Sequence, residues 1–196
     1  MKPIHSFAAI PLVAAIGLAN QVMACNSPYT ITNSGDNTAN PATLSGAIAD
    51  INTNCAGQEA AITISDSIAG STIVMGESNL DISTDALVTI TGPTVNPVTT
   101  QSSANGEAHF RVYGSSKLTI KNLIMDGANH GASAINLFEG GASSLVNVET
   151  TVFKNFASRA ITVDAAHVAI SDSQFINNST SSASANGGAI YAGTGS

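Results

Sequence analysis

Hydrophobic and polar residues alternate with period two over short stretches along most of this chain. In the second half the alternation settles into a repeating register. Residues 118–127 (LTIKNLIMDG), 146–155 (VNVETTVFKN) and 168–177 (VAISDSQFIN) align, with starts 28 and then 22 residues apart. Each segment is followed by a short second strand, at 133–137, 159–163 and 188–192. A period in this range is the signature of a solenoid, whose units bury their apolar faces only by stacking on one another. The alignment places Met125, Phe153 and Phe175 at one internal position and Ile135, Ile161 and Ile190 at a second. It also stacks Asn122, Thr150 and Asp172 in one polar column. Gly127, Asn155 and Asn177 form another, where Asn and Gly suit a bend of positive φ. Five or six coils are expected, giving a rod roughly 25–30 Å long at the usual inter-strand spacing.

Upstream, the same alternation marks strands at 61–64, 72–75, 80–82, 87–91 and 110–113. Residues 94–107 are polar and lie among Pro93 and Pro97, so they read as a protruding loop. The period changes only near the N-terminus. Leu44, Ala47, Ile48 and Ile51 fall at i, i+3, i+4 and i+7 and predict a short helix over 44–51, with Thr43 as its N-cap. With a strand at 29–32, this makes residues 25–60 a cap on the coils of 61–196. A solenoid needs such a cover over its core and its unpaired strand edge. The fold class is therefore all-β, a parallel β-helix with one short capping helix.

Composition agrees with stacked strands. Only 10% of the 196 residues are charged, there is no Trp, and small β-formers and turn residues dominate. The net charge of −7 argues against nucleic acid as a partner. Residues 1–24 read as an export signal: Lys2, an apolar run over 7–19, and a small-residue cleavage site ending at Ala24. No other apolar run is long enough for a transmembrane helix. In an exported chain the pair Cys25 and Cys55 implies one disulfide. Cys25 also directly follows the expected cut, as the lipidated cysteine of a lipoprotein does, and that alternative excludes the first.

Phe175-Ile-Asn-Asn178 matches the Phe-x-x-Asn motif of bacterial polymorphic outer-membrane proteins. Gly187, Gly188, Ala189 and Ile190 match their Gly-Gly-Ala-Ile motif. The opening, with a Thr-Ile-Thr strand, a polar turn and then Leu44-x-x-Ala47-Ile48, resembles the N-terminal cap of secreted right-handed β-helix proteins. The resemblance covers most of 28–192. It implies a right-handed, pectin-lyase-like β-helix and the role of an autotransporter passenger or adhesin, exported to the bacterial surface, outer membrane or exterior, with host or matrix ligands or glycans as partners. It also implies an N-terminal piece of a longer protein, whose outer-membrane part would lie beyond residue 196.

The same scaffold carries polysaccharide lyases and glycoside hydrolases, so the alternative is a carbohydrate-active enzyme with catalytic coils downstream. Within this chain Arg111 and Arg159 are the only coil arginines, and neither has an acidic cluster beside it in sequence. Asp126, Glu149 and Asp172 come from successive coils but in different registers, and read as solvated turn carboxylates. Asp126 and His130 share a turn. His109 and His167 flank strands and read as surface residues. Asn178-Ser-Thr180 is a glycosylation sequon in a eukaryotic secretory pathway. No catalytic residue, metal site or cofactor motif is assigned. Loops 92–109 and 178–186 are the expected contact surfaces.

Overall fold

The computed structural model describes residues 25–76, 80–103, 108–130, 133–137, 144–164, 166–180 and 188–193. The export signal and Gly187 lie outside them. The chain opens with β1 (Tyr29–Ile31) and α1 (Leu44–Asn54). It then makes five passes of three strands each. These are β2 (Glu59–Ile64), β3 (Thr72–Val74) and β4 (Leu80–Ile82); β5 (Leu87–Thr91), β6 (Thr99–Gln101) and β7 (Phe110–Val112); β8 (Lys117–Lys121), β9 (Ile124–Asp126) and β10 (Ile135–Leu137); β11 (Leu145–Glu149), β12 (Val152–Lys154) and β13 (Ile161–Val163); and β14 (His167–Ser171), β15 (Gln174–Ile176) and β16 (Ile190–Ala192).

Equivalent strands pair in parallel, one pass on the next. Sheet A runs β1-β2-β5-β8-β11-β14, sheet B runs β3-β6-β9-β12-β15, and sheet C runs β4-β7-β10-β13-β16. The result is a parallel β-helix. Four full turns separate β2 from β14, and sheet A extends about 24 Å from β1 to β14 at the usual strand spacing. This falls just short of the expected length.

Both expected ladders form. Phe153 pairs with Met125 on one side and Phe175 on the other. The rings of Phe153 and Phe175 stack at 4.9 Å and 6°. Ile135, Ile161 and Ile190 stack in sheet C below Phe110. Each aligned segment of the sequence is two strands rather than one, because Asn122, Thr150 and Asp172 at φ of 56°, 48° and 49° turn the chain from sheet A into sheet B.

Asn155 and Asn177 have positive φ at the next corner, but Gly127 does not. Gly127 is required for a different reason: a Cβ there would lie 2.6 Å from the Asn155 carbonyl oxygen and from the Phe156 Cα. Residues 94–107 are not one protruding loop. They contain β6, with Val98 and Thr100 fully buried.

The cap forms as its sequence pattern dictates. The Thr43 side chain accepts from the Gly46 amide, and Leu44, Ala47, Ile48 and Ile51 are buried. Gly46 must lack a side chain, since a Cβ would fall 1.9 Å from the Asn40 oxygen. Two connections hold residues 25–29 to the helix. Cys25 and Cys55 are joined as a disulfide, so the Cys25 sulfur is not available to a lipid. Asp50 accepts hydrogen bonds from Tyr29 Oη at 2.6 Å, Asn26 Nδ2 at 3.2 Å and Asn54 Nδ2 at 2.6 Å. The Tyr29 bond is the largest influence holding the Asp50 carboxyl below its usual range. Burial, aided by Asp50, raises the Tyr29 hydroxyl in turn.

Replacing both Cys25 and Cys55 with Ala should cost about 3–4 kcal/mol in the chain-entropy account of a loop this long. Urea unfolding, compared with the oxidised parent, measures the loss.

Candidate functional site

The outward residues of sheet A form three columns along the rod. One column is Glu59, Leu87, Lys117, Leu145 and His167. Its neighbour is Ala61, Thr89, Thr119, Asn147 and Ala169. The third is Thr63, Thr91, Lys121, Glu149 and Ser171. The first two columns enclose a shallow groove of about 430 Å³ that crosses β2, β5, β8 and β11, with Ser27 at its N-terminal rim. Leu87 and Leu145 stand on either side of the exposed Lys117, and Thr89, Thr119 and Asn147 supply hydroxyl and amide groups along the adjoining row.

Elsewhere, cations are held by residues of the same or adjoining coils. Arg111 grips Asp81 of the preceding coil with two bonds of 2.7 and 2.8 Å, and its guanidinium lies over Tyr113. Lys121 reaches Glu149 at 2.8 Å, and Lys154 reaches Asp126 at 3.3 Å. Arg159 lies over the Tyr191 ring at 4.1 Å. Each ion pair joins residues that face each other in the strand register. Among the described residues Lys117 alone of the cations neither pairs nor stacks. Arg111 is thereby unsuited to act as a base.

The three carboxylates from successive coils do not converge. Glu149 is tied to Lys121, and Asp172 is exposed at a corner. Asp126 departs from the expectation of a solvated carboxylate, since its side chain is only 12% exposed. It accepts from the Ala128 amide and Asn155 Nδ2 besides pairing with Lys154. Burial pushes its carboxyl up, but these donors and the Lys154 charge outweigh it and hold the group below its usual range. Asp126 and His130 share a turn, as expected. Among the described residues, no cluster of three or more His, Cys, Asp or Glu side chains is placed to hold a metal.

His109 is the largest correction. It is fully buried rather than at the surface, while His167 is exposed as expected. Its Nδ1 lies 3.0 Å from Thr100 Oγ1 and its Nε2 lies 2.8 Å from Ser102 Oγ. Its ring packs on Phe156 at 5.5 Å. A serine beside a histidine resembles a nucleophile and its base, but two features oppose that chemistry. Ser102 is itself buried, and the second ring nitrogen faces a hydroxyl where a triad has a carboxylate. The histidine instead satisfies Thr100, which occupies a rung of the internal ladder between Ile73 and Met125.

The Phe-x-x-Asn motif has a structural reading. Phe175 continues the stack on Phe153. Asn178 reaches back one coil, where its Oδ1 accepts from the Phe156 amide at 3.1 Å and its Nδ2 donates to the Phe153 carbonyl at 3.0 Å. The sequon nitrogen is therefore engaged in the folded chain. Ile190 continues the sheet C ladder, and the Ala189 carbonyl accepts from Ile161 N. Gly188 precedes this strand.

Two predictions follow from these contacts. Asn178→Ala removes both bonds to the preceding turn and leaves a part-buried amide and carbonyl unpaired. A loss of about 1–3 kcal/mol is expected in urea unfolding. Burial pushes the His109 imidazole down to about 3, with Asp126 opposing, so the folded state keeps it neutral where the unfolded chain protonates it. Its contribution is complete above the unfolded value of about 6.5 and falls by about 1.4 kcal/mol per pH unit below that, down to the folded value. His109→Gln should flatten stability against pH between about 6 and 4, the interval above most carboxylate titration. Unfolding midpoints across that interval measure the slope.

Comparison of the chain with protein-family models, with curated proteins and with solved structures finds no match in any of the three.

Proposed function

We propose that this chain is an exported interaction protein, a capped β-helix rod displayed at a bacterial surface that binds an extended ligand along sheet A. The observation that carries this reading is Lys117. The other described cations are held by residues of their own or adjoining coils, while Lys117 stands in a groove between two leucines and beside a row of Thr and Asn. That combination of apolar ridges, hydrogen-bonding groups and one cation suits a glycan chain, whose sugar faces are apolar and whose edges carry hydroxyls or a carboxylate.

The motif resemblance to polymorphic outer-membrane proteins and autotransporter passengers supports surface display. The N-terminal export signal supports passage out of the cytoplasm. A pectin-lyase-like identity rests on the same resemblance. Binding is favoured over hydrolysis because Glu59 is the one carboxylate among the described residues lining the groove, and glycoside hydrolysis in its usual form employs two.

The test is a titration of the purified chain with neutral and carboxylated oligosaccharides by calorimetry. A carboxylated chain should bind, and Lys117→Ala should weaken it about tenfold or more, equivalent to at least ~1.4 kcal/mol. Lys121→Ala, on the same sheet but outside the groove, should leave binding unchanged. Binding indifferent to Lys117, or no binding by either class, would overturn the assignment.

A further inference from the structure

The first groove column alternates along the rod. It runs Glu59, Leu87, Lys117, Leu145 and His167, so polar and apolar residues take turns, rung by rung. Successive rungs lie ~4.8 Å apart, and like residues therefore recur at ~9.6 Å. In the adjoining column Thr89, Thr119 and Asn147 stand beside Leu87, Lys117 and Leu145, with Ala61 and Ala169 beyond them. Hydrogen-bonding groups thus span three rungs centred on Lys117. The groove is two columns wide across the strands but crosses four strands along the rod, so an extended ligand fits it only along the rod axis.

Glu59 stands at one end of this pattern. Its side chain is exposed, lies two rungs from Lys117, and forms no ion pair with another described residue.

A β-1,4-linked glycan matches the spacing. Each pyranose ring advances such a chain by a length close to one strand spacing, and each ring is turned over relative to the last. The same edge group therefore faces the same column at every second sugar, two rungs on. With a carboxylated sugar at Lys117, its two neighbours lie against Leu87 and Leu145, where an uncharged ring buries no unpaired charge. A second carboxylate on the same edge, two sugars away, meets Glu59 on one side and His167 on the other. Only the Glu59 side sets like charges together. The net charge of −7 opposes a polyanion at longer range as well.

We infer that the groove selects a sparsely acidic β-1,4-linked glycan lying along the rod, with one carboxylated sugar at Lys117, neutral sugars at Leu87 and Leu145, and no carboxylate at Glu59. Glu59 sets this specificity by rejection, against chains acidic at every sugar. The inference rests on the reading of the groove as a glycan site.

Three β-1,4-linked glucose pentasaccharides of equal length test it by calorimetry: one neutral, one carboxylated at C6 of the central sugar alone, and one carboxylated at every sugar. The centrally carboxylated probe should bind most tightly. Glu59→Gln should strengthen binding of the fully carboxylated probe by about threefold to fivefold, the scale of an exposed charge contact, and leave the centrally carboxylated probe unchanged. The gain should shrink in high salt, where exposed charges are screened.

Failure here is distinguishable from failure of the glycan reading. If the fully carboxylated probe binds at least as tightly as the central one, loses affinity in Lys117→Ala and is indifferent to Glu59→Gln, the glycan groove stands and the selectivity is overturned. If none of the three probes binds, or binding ignores Lys117→Ala, both are overturned.

Discussion

The vertical repeat of the strands governs everything else in this molecule. Each inward side chain lies one strand spacing from the equivalent side chain of the neighbouring coil, so its size and polarity are set by what stands above and below it. Phe153 can stack flat on Phe175 because both occupy the same rung at the same height in their coils. A single coil has too little apolar area to hold itself together, and cohesion comes from the contact between coils. The corners obey the same rule. Gly127 is confined to hydrogen at its α-carbon because the corner of the next coil passes directly over it.

Much of this was legible in the sequence because the repeat writes itself as a pattern. The cap helix stripe, the Met125–Phe153–Phe175 stack and the Ile135–Ile161–Ile190 stack follow from spacing, and the Cys25–Cys55 pair was one of two readings that an exported chain with two cysteines allows. The features that escaped are those where the ladder carries a polar residue. Strand β6 went unseen because Thr100 occupies its inward position, and the partner that makes Thr100 tolerable, His109, lies in the next strand segment. Nothing local marks His109 as buried, since its partners are fixed by coil closure rather than by spacing. Asp126 likewise reads as a solvated turn residue until the next coil brings Lys154 and Asn155 over it.

The groove was less legible still. Its two columns draw two residues from each of four strands, and the residues of a column are 28, 30 and 28 positions apart in the chain. No window of sequence contains them together. What singles out Lys117 is the treatment of other cations: Arg111, Lys121 and Lys154 are neutralised across coils by carboxylates in register. These three ion pairs tie adjoining coils together on their outer faces, and Lys117 stands where a binding partner could use it.

The position of the disulfide has a mechanical consequence. Cys25 lies at the outer end of the cap, and Cys55 immediately precedes the first strand of the coils. Tension applied at Cys25 therefore passes through the sulfur–sulfur bond straight to β2 and bypasses residues 26–54. The helix and β1 lie on a slack arm of the chain. A rod pulled from this end would transmit force to its coils while the lid over its core stays unstretched.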